Sequence, residues 1–286
     1  MLLIAGGESD PNLHALAEVA TDMAVPWLDM RVPVGISPPF HWDLSSPELT
    51  PWGEACLPKG AFIRQDVFAA LNDPRPAVSA RAAGWYAALQ GWLLAHPEVR
   101  VFNQHIRAVA FNKPAALLRA RAAGLRIAPT WVSNDVARLR ARLDQPTIAK
   151  PVAGGGLCQT LEEAMADVDV AFSAMPALIQ PRLVAPELRV FVVGRTPLAF
   201  EVSSPSLDYR AQQDAEVTAV PVPPQAEALC RLMAEFGMDF GAADFKTDPD
   251  TGELVFLELN TSPMFARFNL ASDGALCRAM VTALTP

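Results

Sequence analysis

The chain has 286 residues, 51% of them hydrophobic and 19% charged, and its 23 Lys+Arg against 31 Asp+Glu give a formal net charge of -8. That apolar content excludes a disordered chain, and at this length folding buries roughly three quarters of the unfolded surface. The acidic excess excludes a surface built to track nucleic acid or anionic lipid, which needs clustered Lys and Arg; a local cationic pocket stays open.

The chain opens as an α/β unit. Leu2 to Ala5 reads as a short buried strand and Gly6-Gly7 as its turn. Asn12 to Met23 reads as a helix with Leu13, Leu16, Ala17 and Ala20 on one face. A second strand, Pro26 to Met30, follows. Pro33 to Pro58 is rich in Pro, Ser and Trp without periodicity and reads as a long irregular connection. Ala61 to Arg64 resumes as a strand, and Ala80 to Leu94 as a helix whose Trp85, Leu89, Trp92 and Leu93 recur at core spacing. No apolar stretch approaches the roughly 20 residues needed to cross a bilayer, and nothing at the N-terminus resembles a signal peptide, so the reading is cytoplasmic. Cys56, Cys158, Cys230 and Cys277 lie far apart, which predicts buried free thiols, and the scattered histidines give no metal spacing.

The pattern changes near residue 110, which sets a domain boundary there. Asn112 caps a helix running through Ala122 to Gly124, with Pro114 in its first turn. Thr147 to Val152 is a strand entering Ala153-Gly154-Gly155-Gly156. Thr160-Leu161-Glu162-Glu163 has the form of a capping box, Leu178 to Gln180 is a strand, and Glu187 to Val193 alternates as a strand with two unlike faces.

The segment Asp239 to Pro263 carries the most chemistry. Two strands flank the turn residues Asp248-Pro249-Asp250-Thr251-Gly252. Alternation puts Asp244 and Lys246 on one side of the first strand and Phe256, Glu258 and Asn260 on one side of the second. Pairing Asp248 with Leu254 sets Lys246 against Phe256 and Asp244 against Glu258, with Cβ atoms about 5 Å apart. Opposed carboxylates repel unless a cation lies between them, and Mg²⁺ held by Asp244, Glu258 and Asn260 removes the conflict. The alternative is a solvated hairpin whose acids face water, against which stands the apolar run Leu254 to Leu259 around Glu258. Lys150 precedes the glycine triplet, and Lys113 lies in a first helical turn where the dipole disfavours a cation. Both fit as phosphate contacts, with the amides of Ala153 to Gly156 closing over the same oxygens. There is no Walker P-loop and no dinucleotide-binding glycine motif.

In order, N-K-P-x-x-L, I-A-K-P-V-A-G-G-G, L-I-Q-P-R-L-V-A-P-E-L-R-V-F-V-V-G and D-F-G-A-A-D-F-K through L-E-L-N-T-S-P resemble the ATP-grasp superfamily from Asn112 to the C-terminus. The variant looks most like the RimK-type and glutathione-synthetase-like ligases, including those that modify ribosomal peptides. The resemblance implies an α/β (α+β) fold. Residues 1–110 would be a pre-ATP-grasp domain and 111–286 an ATP-grasp domain, split into a small subdomain (111–180) and a large one (181–286).

It further implies ATP and one or two Mg²⁺, with Mn²⁺ as a substitute. Lys113, Lys150 and Gly154, Gly155 and Gly156 would contact phosphates. Gln180, Pro181, Arg182 and Leu183 would meet adenine, and Glu187 the ribose. Asp244, Glu258 and Asn260 would hold metal, and Arg189 and Arg210 would act at the reacting groups. At the hinge, Pro181-Arg182 departs from the acidic or aromatic pair more usual in relatives. The implied activity is carboxylate-amine or carboxylate-hydroxyl ligation through an acyl phosphate, on a peptide or small-molecule carboxylate and a nucleophile. It would take place in a dimer or tetramer, without nucleic acid or membrane. The competing readings are a RimK-type ligase adding amino acids to a terminus and a nucleotide-binding regulator without turnover. Arg267 reads as an ordinary surface residue.

Overall fold

The computed structural model describes residues 1–33, 35–67, 71, 73–153, 157–166, 168–204 and 215–285. By packing, the chain forms two units, Met1–Phe102 together with Met264–Pro286, and Asn103–Pro263.

The first unit begins with β1 (Leu2–Gly7), α1 (Pro11–Asp22) and β2 (Trp27–Val32). Asp10 caps α1 by accepting from the Asn12 amide at 2.8 Å, and Pro11 takes the first turn, where its missing N–H is no loss. The segment read as irregular contains a small antiparallel hairpin, β3 (Phe40–Trp42) with β4 (Leu49–Pro51). Strands of three residues are too short to show alternation in sequence. Then come β5 (Gly60–Ile63) and α2 (Pro76–Ala95), the latter longer at its N-terminus than its periodicity predicted. β1 lies between β2 and β5, both parallel to it, and its nearly continuous burial is what a parallel strand with both faces covered requires. Leu89, Trp92 and Leu93 of α2 pack with Leu3, Ala5, Met30 and Ala61, in the core role read for them.

The second unit opens with α3 (Lys113–Ala122). Asn112 accepts from the Ala115 amide at 3.0 Å, and Gly124 leaves the helix at φ 92°. Next are β6 (Trp131–Asp135), α4 (Val136–Arg140), β7 (Thr147–Pro151), β8 (Gln159–Thr160), α5 (Leu161–Met165) and β9 (Phe172–Pro181), whose strands form an antiparallel sheet in the order β6-β9-β7-β8. The capping box at Thr160 and Glu163 forms in both directions, at 3.2 and 3.0 Å. β9 begins well before the expected Leu178, and its first half escapes the sequence pattern because it is mostly exposed.

The larger sheet follows: β10 (Val184–Val193), β11 (Thr196–Ser203), β12 (Glu216–Val220), α6 (Gln225–Glu235), β13 (Phe240–Thr247) and β14 (Leu254–Asn260). All its pairings are antiparallel and its order is β12-β11-β10-β13-β14. Helices α3 and α6 cover the face that carries Val190, Val192, Ala243, Phe245 and Phe256. Full burial of an aromatic of this kind contributes roughly 1.5–3 kcal/mol. The opposite face of β10, β13 and β14 carries the charges. The chain ends in α7 (Ala266–Ala271) and α8 (Ala275–Leu284), which pack with α1 in the first unit.

The β13–β14 hairpin corrects one register. Near the turn Thr247 pairs with Leu254 and Lys246 with Val255, not with Phe256. A bulge between Asp244 and Phe245 then restores the expected pair, Asp244 opposite Glu258. The extra residue flips the parity of β14. Phe256 therefore turns into the core, its ring edge-on to Phe245 at 5.7 Å, while Glu258 faces Asp244. The common face read for Phe256, Glu258 and Asn260 is broken by this bulge. Arg126 holds the hairpin from outside, pairing with Asp248 at 2.6 Å and with Glu253, while the Phe256 amide donates to the Arg126 carbonyl at 2.8 Å.

Of the cysteines, Cys277 is buried and Cys56, Cys158 and Cys230 are half-buried, and all four are free thiols. Arg267 is exposed, as read. Among the described residues no helix is long and apolar enough to cross a membrane.

Candidate functional site

Three neighbouring strands and one helix end build a charged patch in the second unit. Arg189 on β10 stands directly opposite Asp244 on β13, and its Nε and Nη2 donate to the two carboxylate oxygens at 2.6 and 2.8 Å. This bidentate pair is buried. Asn260 on β14 donates from Nδ2 to the same carboxylate at 3.1 Å. Two positions away, Glu187 stands opposite Lys246, with Oε2 3.0 Å from Nζ. Lys113, in the first turn of α3, places Nζ 3.1 Å from Oε2 of Glu258. The cation that the helix dipole disfavours thus has an acid to hold it.

Opposed Asp244 and Glu258 are each neutralised by a cation of the chain, Arg189 and Lys113 respectively. Their donor chemistry still fits a hard cation, since two carboxylates and an amide oxygen are what Mg²⁺ takes from protein. Among the described residues no group of three or more His, Cys, Asp or Glu gathers as an alternative metal centre.

Lys150 is the last residue but one of β7 and is partly buried. Burial pulls its ammonium below the usual lysine range; Cys158 and Glu258 oppose that pull, while Lys113 and Lys246 add to it. Burial pushes the Glu187 carboxyl up, Lys246 pulls it back and Asp244 pushes it further. These mutual influences place Lys113, Lys150, Lys246, Glu187, Asp244 and Glu258 in one electrostatic neighbourhood. A cavity of about 250 Å³ adjoins it, lined among others by Lys113, Val152, Phe256, Glu258, Leu259 and Asn260.

Between β9 and β10, the Arg182 amide donates to the Pro146 carbonyl at 2.8 Å, so that N–H is already engaged within the protein. Pro181 ends β9 and Leu183 is partly buried. Gln180 is buried and donates to Thr130 Oγ1 at 2.9 Å, while its Oε1 has no partner among the described residues. Gly154, Gly155, Gly156 and Arg210 lie outside the described residues. The structure brings together Lys113, Lys150, Glu187, Arg189, Asp244, Glu258 and Asn260. It adds Lys246, whose partner could be read only from the β10–β13 register, which no turn between those strands fixes.

No protein-family model and no curated protein matches the chain. Solved structures do match over its whole length. The ATP-grasp ligase PsnB, complexed with a phosphomimetic variant of its minimal precursor, Mg and ADP, superposes with a TM-score of 0.75 at 20% identity, over 99% of this chain and 98% of that one. The fold is that of the ATP-grasp ligases. The macrocyclase MdnC from Microcystis aeruginosa MRC, bound with precursor peptide MdnA, gives 0.70 at 16% identity over 100% and 99% of the two chains. A Chryseobacterium gregarium RiPP-associated ATP-grasp ligase, in complex with ADP and a leader and core peptide, gives 0.70 at 18% over 99% and 96%. The ATP-grasp likeness thus takes in the first unit and the two C-terminal helices as well as both sheets of the second unit.

Proposed function

We propose that this protein is an ATP-dependent carboxylate ligase that acts on a peptide, activating a carboxylate as an acyl phosphate and passing it to an amine or hydroxyl. The observation that carries the reading is the charged patch itself: Lys113, Lys150 and Arg189 gathered with Asp244, Glu258 and Asn260 in a chain of ATP-grasp fold. The peptide substrate is favoured by the neighbours, several of which hold precursor peptides.

Lys113 exchanges the Glu258 carboxylate for a phosphate oxygen, and Lys150 meets the same polyphosphate from the end of β7. Asp244, Glu258 and Asn260 would hold a divalent ion, which would supply charge neutralisation at the phosphate oxygens. Arg189 keeps Asp244 in place through Nε and Nη2 and brings its positive charge to the patch that receives the transferring phosphoryl group. The substrate carboxylate attacks the γ-phosphorus with loss of ADP, and the nucleophile then displaces phosphate from the acyl carbon. Positioning and charge neutralisation suffice for such a transfer, so the chain needs no nucleophile of its own. Glu187 receives the ribose, and Gln180, Pro181, Arg182 and Leu183 border the base. Gly154 to Gly156 enter this proposal on the sequence alone, and Arg210 on the family resemblance.

The functional partition belongs to the same proposal: residues 1–110 as the pre-ATP-grasp domain, 111–180 and 181–286 as the subdomains that clamp the nucleotide. The segment from Met264 serves it while packing with the first unit. We place the enzyme in the cytoplasm, where its four free thiols and MgATP are both at home. Incubation with MgATP and peptides bearing acidic side chains tests the reading. Stoichiometric ADP and phosphate with loss of one water from the peptide supports it, and ATP turnover that no carboxylate-bearing peptide or amino acid stimulates overturns it.

A further inference from the structure

Lys246 is the cation of the patch to which the proposed chemistry assigns no task. It stands directly across from Glu187 in the β10–β13 pairing, 3.0 Å away, and the two side chains are only 20% and 16% exposed. Two residues along each strand, Arg189 and Asp244 repeat the arrangement with the signs exchanged. Alternation sets all four side chains on one side of the sheet. Each pair then lies beside its mirror in charge, so each acid has a cation opposite it and another next to it on its own strand.

A carboxylate withdrawn from water to this degree is costly unless it is paired, and a cross-strand partner on two rigid strands fixes its orientation. Lys246 engages Oε2 of Glu187. Oε1 is the second acceptor of the same carboxylate. We infer that Lys246 is a positioning residue for nucleotide discrimination: it orients Glu187 so that Oε1 accepts from the sugar hydroxyls and selects a ribonucleotide over its 2′-deoxy counterpart. This inference rests on the nucleotide reading given above.

Equilibrium binding of ATP and of 2′-deoxy-ATP, each with Mg²⁺, to the whole chain tests it in wild type, Lys246→Met, Lys246→Arg, Glu187→Gln and the Met/Gln double variant. Wild type prefers ATP. Lys246→Met lowers that preference by roughly tenfold, about 1.4 kcal/mol, chiefly by weakening ATP. Lys246→Arg keeps most of the preference, and the double variant loses no more of it than Glu187→Gln alone. If Lys246→Met does not fold, Lys246→Gln carries the same comparison. Equal weakening of both nucleotides, or an unchanged ratio, overturns the role of Lys246 while leaving the nucleotide reading intact. Wild type that binds neither nucleotide overturns the nucleotide reading itself, and this inference with it.

Discussion

Arg189 and Asp244 face each other across neighbouring antiparallel strands, and the guanidinium meets both carboxylate oxygens, at 2.6 and 2.8 Å. The side chains are 11% and 8% exposed, so either charge left alone would be stranded out of water. Arg189→Met should therefore destabilise the fold by about 3–5 kcal/mol, and adding Asp244→Leu should recover part of that loss. Denaturant unfolding of the two single variants and the double closes the cycle. Additive losses would show that the pair is not coupled.

Lys113 and Glu258 form the more open pair, and its chemistry separates from its stability. Removing such a pair should move stability by no more than about 1 kcal/mol. Glu258→Gln should nevertheless lower Mg²⁺-dependent ADP release by about 100-fold or more, because a proposed metal ligand is lost. Parallel melting and turnover assays decide it. Turnover near the wild-type level would remove Glu258 from the site.

The hairpin shows both what the sequence makes legible and what it hides. The hairpin was readable from its turn residues Asp248–Gly252, but the register counted from them is one residue off, and Asp244 stands opposite Glu258 because the bulge makes up the difference. The bulge that turns Phe256 inward was not readable, since the one-residue shift is decided by the core contact between Phe256 and Phe245. Asn112, Thr160 and Gly124 were readable because caps act locally. β6 was missed because it is an edge strand with little buried surface, and the Lys246–Glu187 pair because strand register across a long connection leaves no local mark. The return of the chain after Pro263 to the first unit likewise depends on distant partners.

One of those partners is Asn12. Its Oδ1 accepts from the Phe265 and Ala266 amides at 2.5 and 2.8 Å, and its Nδ2 donates to Asp10 at 2.7 Å. Asp10 in turn holds buried Arg64 at 3.0 Å. Asn12→Ala leaves buried donors without acceptors and should cost about 1–3 kcal/mol. Hydrogen exchange at the Phe265 and Ala266 amides should accelerate. Unchanged protection there would show that Asn12 does not anchor this segment.

Burial pushes the Cys277 thiol from 9.0 up to about 12. Below pH 9 the thiol is protonated in both states and its effect on stability is constant. Between pH 9 and pH 12 the unfolded chain releases the proton and the folded one keeps it, so stability falls as pH rises through that window. Cys277→Ala should show a shallower decline in denaturant midpoint over the same range. An identical slope in variant and wild type would contradict the buried, neutral thiol.

The central claim is that the patch around Arg189, Asp244, Lys113 and Glu258 receives MgATP, and equilibrium titration of the whole chain with ATP, with and without Mg²⁺, tests it most directly. Saturable binding that Mg²⁺ tightens is the expected result. Lys150→Met should weaken it in both conditions, and Glu258→Gln should abolish the Mg²⁺ dependence. Absence of binding, or binding that is the same in wild type and both variants, would contradict it.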